Sequence, residues 1–458
     1  VAVALYLTLS RAAIGIAIAA LLVFVVLGRS RGLVSAAAAI APITALAVLD
    51  AIGVDALTAE RLDVAGGVVD ARHDFAQRLA LLCVAAGALR AVGLFLDDRL
   101  ARAAVPRPRA AVRWGVAVAV GAALIGGLLV AGAPSRVERQ WERFTQDKPV
   151  TAHGADRLSE ATANGRLALW DVALDAFREE PLHGTGAGTF AKEWSRERSA
   201  EFEAKDAHSL FLEALSDLGA VGLALVVVAL GTGLVALALR RRADRLPWSA
   251  ALAIVLCWAA QAGLDWLWEM PATAIGAFAL IGLATARATE RPAGRVLALR
   301  PARVLAGLAV LLLALTPVRA GLSQVRLDTA LAAFRGGDCA RATDSALASL
   351  SALGSSSEPF ELLGYCDVRA GRERLGVRML EAALRRDPGS WELRYGLALT
   401  QAAAGIDPRP ELRRARRANP DERLIADALE RMRGRSPARW AREARRSTLV
   451  VPPGKATP

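Results

Sequence analysis

Apolar runs of bilayer length, separated by short arginine-rich connections, dominate the first 318 residues of this chain. A hydrocarbon core needs roughly 20 apolar residues per helix. Runs near that length lie around 12–27, 33–52, 77–95, 113–132, 210–239, 249–264, 271–286 and 303–318. They predict a polytopic helical membrane protein. A hydrophobic fraction of 54% and a mean hydropathy of +0.33 point the same way. The net charge of +12 is then no sign of a nucleic-acid partner, because most arginines fall in clusters between apolar runs. Ala2 to Leu9 reads as the end of a helix whose beginning is missing, so the expectation is a bundle lacking its first helices.

Arginine sets the expected orientation. Arg29 and Arg31, Arg99 to Arg109, Arg240 to Arg245 and Arg287 to Arg303 occupy alternate connections, and the positive-inside rule assigns that side to the cytoplasm. Loop 53–76, the long loop 133–208 and everything beyond about 319 then face outside. The long loop carries its own arginines (Arg136, Arg139, Arg143, Arg157, Arg166), but loops of this length escape the rule. After Val318 the pattern changes to amphipathic, alanine-rich helices. Asp387-Pro388 and Asn419-Pro420 recur 32 residues apart, close to the ~34-residue tetratricopeptide period. The expected fold is all-α. A transmembrane bundle spans 1–318 with its external loop 133–208, a soluble tetratricopeptide-like array spans 319–446, and 447–458 is a disordered tail.

Chemistry concentrates between Asn164 and Gly222, the polar stretch of an apolar region. Arg166 and Trp170 open a helix expected over Leu167–Phe177. That helix ends at Pro181, where Gly184, Gly186 and Gly188 follow at alternate positions. Such glycines either cradle a phosphate through backbone N–H groups or simply form a turn. His208, in Asp206-Ala207-His208-Ser209, stands where the loop re-enters the apolar region. It is placed either to act as a general base or to sit at headgroup level as a helix cap. Arg11, at a junction of apolar runs, either binds a ligand or snorkels to headgroups. Trp266 and Trp268, in the turn Asp265 to Pro271, suit an interfacial aromatic belt, and its carboxylates a groove for an acceptor. His73, His153, His183 and His208 show no metal-binding spacing, and Asp-x-Asp does not occur.

Four pieces of this sequence resemble the O-antigen ligase family, the polytopic enzymes grouped with O-antigen polymerases and protein O-oligosaccharyltransferases. Ser10-Arg11-Ala12 resembles the family's Ser-Arg-small element. Arg166 with Trp170 resembles its arginine-and-tryptophan helix, and Pro181-Leu182-His183-Gly184-Thr185-Gly186 its Pro-x-x-Gly-x-Gly turn. Asp206-Ala207-His208-Ser209, continuing to Gly219 and Gly222, matches a histidine, ten residues, then glycine. The resemblance covers about residues 1–290.

The resemblance implies a glycosyltransferase using a glycan linked to undecaprenyl diphosphate, at the outer face of the cytoplasmic membrane, without a metal or other cofactor. Arg11 and Arg166 would hold the diphosphate, since guanidinium binds phosphate oxygens bidentately. His208 would be the base, and a single base fits inversion. Trp170, Gly184, Gly186, Asp206 and Asp265 are candidate substrate-lining residues. The acceptor would be a glycan, a lipid or a protein, with membrane lipids around the bundle and an envelope protein as a partner for the array. A polymerase or a protein O-oligosaccharyltransferase shares these features. A solute transporter would instead place its polar groups near mid-bilayer, and a scaffold would act through the array alone. Cys339 and Cys366, both beyond the last span on the side read as oxidising, are expected to form a disulfide. Cys83 and Cys257 lie within spans and are expected to be buried free thiols.

Overall fold

A computed structural model describes residues 1–28, 31–54, 57, 66–102, 163–198, 202–240, 244–286, 301–434 and 436–446. Every regular element among them is helical. In chain order the α-helices are α1 (Ala2–Leu7), α2 (Arg11–Gly28), α3 (Arg31–Ile52), α4 (Gly66–Arg102), α5 (Arg166–Glu179), α6 (Phe190–Glu197), α7 (Leu210–Arg240), α8 (Arg245–Ala262) and α9 (Pro271–Thr285). They continue as α10 (Pro301–Arg335), α11 (Cys339–Ala352), α12 (Glu358–Arg369), α13 (Glu373–Arg386), α14 (Trp391–Ala403), α15 (Arg409–Ala418), α16 (Arg423–Arg431) and α17 (Pro437–Arg446). A 3-10 turn, Trp266–Glu269, joins α8 to α9. The apolar run near 113–132, loop residues 133–162 and the tail 447–458 lie outside the described residues.

Four segments are long and apolar enough to cross a membrane: Arg11–Gly28, Val68–Phe95, Leu210–Arg240 and Gly307–Arg335. Ala39–Ile52 and Pro271–Thr285 are shorter apolar helices. Their outward side chains, such as Leu22, Leu81, Leu225 and Leu312, are exposed apolar groups that a lipid environment accommodates. Helices of this length and composition are those of a multi-pass membrane protein.

Two compact units divide the chain: Val1–Ala191 with Ala204–Ala288, and Lys192–Glu203 with Thr289–Pro458. In the first, α8 packs against α2, α7 and α9. Leu230 and Leu237 of α7, Leu252, Val255 and Trp258 of α8 and Ala277 of α9 form the buried core. Gly233 lets α7 approach α9 closely, since a Cβ there would lie 2.6 Å from Ile281. At the start of α2, Ser10 Oγ caps the helix by accepting from Ala13 N at 3.2 Å.

The second unit is a run of helical hairpins. Each helix from α10 to α15 packs on the next, and α10, α12 and α14 also pack on one another in turn. Gly337, Gly371 and Gly405, 34 residues apart, end α10, α12 and α14 with φ of 81°, 74° and 74°. The same hydrogen bond follows each: Asp338 N to Ala333 O at 2.9 Å, Arg372 N to Asp367 O at 2.8 Å and Ile406 N to Gln401 O at 2.8 Å. These are Schellman caps, which need the left-handed conformation glycine tolerates. The repeat is therefore written in backbone chemistry. Its core holds Phe334, Leu362, Tyr365, Leu380 and Leu397, and Gly364 and Gly376 bring α12 and α13 into backbone contact.

The apolar run expected to stop near 318 is part of one helix that continues to Arg335. Pro317 removes a single N–H without ending it. Beyond Pro317, α11 supports the helix: Arg319 Nε donates to Ala352 O at 3.0 Å, and the Ser323 and Ser349 hydroxyls lie 2.8 Å apart.

Cys83, expected to be buried, is exposed on α4, and Cys257 is half-buried; both are free thiols. A disulfide joins Cys339 to Cys366, with Cα atoms 5.4 Å apart. Cys339 stands at the first residue of α11, where the two helices meet, so the bridge fits the required separation. Mass spectrometry of unreduced, alkylated protein should recover the two peptides linked. Replacing both cysteines with alanine should lower the stability of this unit by about 3 kcal/mol, measured as a shift in its denaturant midpoint.

Candidate active site

The site is built around a break in α7. Gly219 has φ 67° and ψ −167°, a conformation essentially confined to glycine. In an unbroken helix Ala220 N would bond Ser216 O and Val221 N would bond Asp217 O. Here Ala220 N donates to Pro181 O at 2.8 Å and Val221 N to Leu182 O at 3.4 Å. The released carbonyls are taken up in return: Thr185 N donates to Ser216 O at 3.0 Å and Gly186 N to Asp217 O at 2.9 Å. Asp217 Oδ2 accepts from Gly188 N. The glycine turn is thus spliced into the helix, backbone to backbone.

Side chains are excluded from this contact on both sides. A Cβ on Gly184 would lie 2.3 Å from Asp217 C, and one on Gly219 would lie 2.3 Å from Leu182 C. The turn is not a phosphate cradle: the amides of Thr185, Gly186 and Gly188 are all committed to α7. Gly184 and Gly186 accordingly face the helix break. His183 is exposed on the turn.

The segment leading into α7 carries His208, whose backbone sits at φ 50°. Two carboxylates hold it there. Asp206 Oδ1 accepts from His208 N at 2.8 Å, and Glu213 Oε2 accepts from Ala207 N at 3.2 Å. Glu213 and Asp217 are buried one turn apart on α7. One receives an amide of the histidine segment, the other an amide of the glycine turn. Sequence reasoning missed both; the signal available was a pair of acids four residues apart inside an apolar run.

His208 Nδ1 also lies 2.8 Å from Asp206 Oδ1. The contact is short, though its angle departs from that of a well-aligned hydrogen bond. The Asp206 carboxylate raises the imidazole pKa above its ordinary value, burial opposes it, Asp265 adds to the rise and Arg166 subtracts. For Asp206, burial pushes the carboxyl up, but the imidazole and amide of His208 outweigh it and hold the group low.

Arg166 begins α5, after Asn164 and Gly165 at φ 55° and 80°. Its Nη2 lies 3.4 Å from Asp265 Oδ2, both side chains being half-buried. Asp265 also caps the 3-10 turn through Trp266 N. The fold thus brings Arg166, Asp206, His208 and Asp265 within one electrostatic neighbourhood. Trp170 lies one turn along α5 on the face of Arg166. Arg166 Nε, Trp170 Nε1 and Trp268 Nε1 are buried donors with no acceptor among the described residues. Arg11 is the first residue of α2, half-buried at its N-terminal end. Among the described residues no His, Cys, Asp or Glu side chains are grouped in a way that could hold a metal ion.

A family model described as O-antigen ligase matches residues 75–227. The match takes in Arg166, the glycine turn, His208 and the α7 break, so the likeness read from the sequence holds over this segment. No curated protein and no solved structure matches the chain.

Alanine at Gly219 should combine a forbidden backbone angle with the clash against Leu182, a cost of about 3 kcal/mol or more. Gly231, farther along the same helix, has nothing within 4 Å of its would-be Cβ. In thermal unfolding, Gly219→Ala should melt well below Gly231→Ala; equal melting of the two would mean that the splice is wrong.

Proposed function

From the O-antigen ligase family match over residues 75–227, we propose that this membrane protein transfers a glycan from a polyprenyl-diphosphate-linked donor to an acceptor hydroxyl. A glycosyltransferase of the ligase or polymerase type is what the family match supports. The observation that carries the finer reading is His208 held against Asp206, with Arg166 in the same charged neighbourhood.

The proposed chemistry is a direct displacement. With Nδ1 turned to Asp206, His208 Nε2 is the nitrogen left to take the proton from the acceptor hydroxyl. The acceptor oxygen then bonds the anomeric carbon as the bond to the diphosphate oxygen breaks, and one displacement inverts the configuration. The leaving diphosphate gathers negative charge, which Arg166 and Arg11 would bind bidentately. Asp265 holds Arg166 until a phosphate competes for it. The buried donors of Trp170 and Trp268 suit hydroxyl or phosphate oxygens, and Gly184 and Gly186 would shape the turn. In this reading the site needs neither a metal nor another cofactor.

The site would face outside the cytoplasm, as the arginine pattern argues. The helical array would be tetratricopeptide-like, a reading supported by its 34-residue period. A glycan acceptor is the reading nearest the family; a lipid or protein acceptor uses the same chemistry.

Turnover of purified lipid-linked donor, assayed in EDTA, tests this. His208→Ala and Arg166→Ala should each lose transfer by 100-fold or more, the scale on which positioned acid–base groups act, with normal membrane insertion. Activity that returns only when a divalent ion is added would refute the metal-independent route. The base must be neutral to act, so kcat/KM should rise with pH through an apparent pKa above ~6.5. Asp206→Asn removes the charge that raises this pKa, and the limb should move to lower pH. An unmoved limb would take the base role from His208.

A further inference from the structure

Lys192–Glu203 lies between the glycine turn and His208 in sequence, yet it clusters with the C-terminal hairpins and not with the segments on either side. Its fold explains how it keeps a shape of its own. Trp194, fully buried, stacks 4.9 Å from Phe202 and donates Nε1 to Phe202 O at 2.9 Å. Arg198 closes the segment from the other side, donating to Phe202 O at 3.3 Å and pairing with Glu203.

Two side chains of this segment are held by the array. Lys192 Nζ lies 2.6 Å from Asp387 Oδ1. Its stem runs over Gly389, where a Cβ would come within 3.0 Å of Lys192 Cδ. Arg198 Nη2 donates to Asn419 Oδ1 at 3.2 Å; the arginine side chain is only 6% exposed and Asn419 is wholly buried. Asp387 ends α13 and Asn419 ends α15. They are equivalent positions of successive hairpins, each followed by proline. Both side chains are directed at the segment. Two neighbouring hairpins therefore grip one loop at matched points, the nearer of them, Arg198, ten residues before His208 in sequence.

We propose that the C-terminal array is the brace of this loop, with Asp387 and Asn419 as positioning residues for the segment that carries Asp206 and His208. It acts on transfer from within the chain. The role in transfer rests on the function proposed above, whereas the brace itself rests on the contacts just described.

The test uses full-length protein in lipid nanodiscs and three variants: Asp387→Lys, Lys192→Asp, and the two combined. Each single change sets like charges where the ion pair stood, and the combination restores it with the partners exchanged. Amide hydrogen exchange is read on peptides covering 192–208, and kcat and KM are read for transfer. Both single variants should exchange faster there and lose about tenfold or more in kcat, with KM for the donor little changed. The exchanged pair should recover both. An intact Cys339–Cys366 bridge and an unchanged melting temperature of the array separate loss of the brace from loss of the fold. Wild-type exchange in Asp387→Lys would overturn the proposal. So would faster exchange with unchanged kcat, since the loop would then be held without consequence for transfer. If the wild-type protein itself transfers nothing, the proposed function fails, and the exchange result judges the brace on its own.

Discussion

The break at Gly219 is the constraint on which the site depends. An apolar helix entering a membrane has every reason to remain regular, because an unpaired amide there costs several kcal/mol. α7 breaks only because a second piece of backbone supplies the missing partners. Four hydrogen bonds cross between the Pro181–Gly186 turn and Ser216–Val221, two in each direction. Neither partner is complete alone: without the turn, α7 has orphan groups at its break; without the break, the turn has amides with nothing to bind. The two glycines meet at the centre of the exchange, where no side chain fits.

What the splice achieves is placement of charge. The opening turns of α7 carry two buried carboxylates; one accepts an amide of the segment that leads into the helix, the other an amide of the glycine turn that the splice brings there. Glu213 holds Ala207 and Asp217 holds Gly188, so the acids that would be costly in an apolar setting become the supports of the two loops. His208 is fixed from its own side chain's partner as well, since Asp206 takes both its amide and its imidazole. Arg166 and Asp265 arrive on separate elements and neutralise one another. Such a half-buried pair adds little net stability. Its worth lies in leaving a guanidinium ready for a stronger anion.

The helical class and the long apolar helices were legible because an apolar run of bilayer length has few other solutions. The site residues were legible only as separate motifs. Pro181 to Gly186 and the histidine-to-Gly219 spacing stood as two signals, whereas they are the two sides of a single contact, which no local pattern expresses. Asp206 read as a candidate lining residue, and its contact with both the amide and the imidazole of His208 was not legible in the sequence. The repeat showed through prolines 32 residues apart, although the stricter 34-residue spacing belonged to Gly337, Gly371 and Gly405. Glycine is too common for that spacing to stand out without its backbone angles. The apolar run ends near 318, but hydropathy reports where lipid ends, not where hydrogen bonding ends, and α10 passes through that point without interruption.

Magnitudes also separate two ways of holding a loop. The splice rests on backbone hydrogen bonds worth about 1 kcal/mol each net, with a far larger penalty for leaving any of them unmade. Its geometry is all-or-none. The array holds Lys192 through an ion pair that is 37% and 27% exposed, a class of contact worth about 0–1 kcal/mol. Arg198 lies deeper, and a buried guanidinium is costly to deprive of its partner. The hold on the loop is thus deeper at Arg198 than at Lys192, where reversing one charge adds repulsion to the loss of the pair. The array holds this loop more by position than by energy. It restricts where the chain can go between the glycine turn and His208, and a transfer reaction is sensitive to such positional restriction because sub-ångström alignment governs its rate.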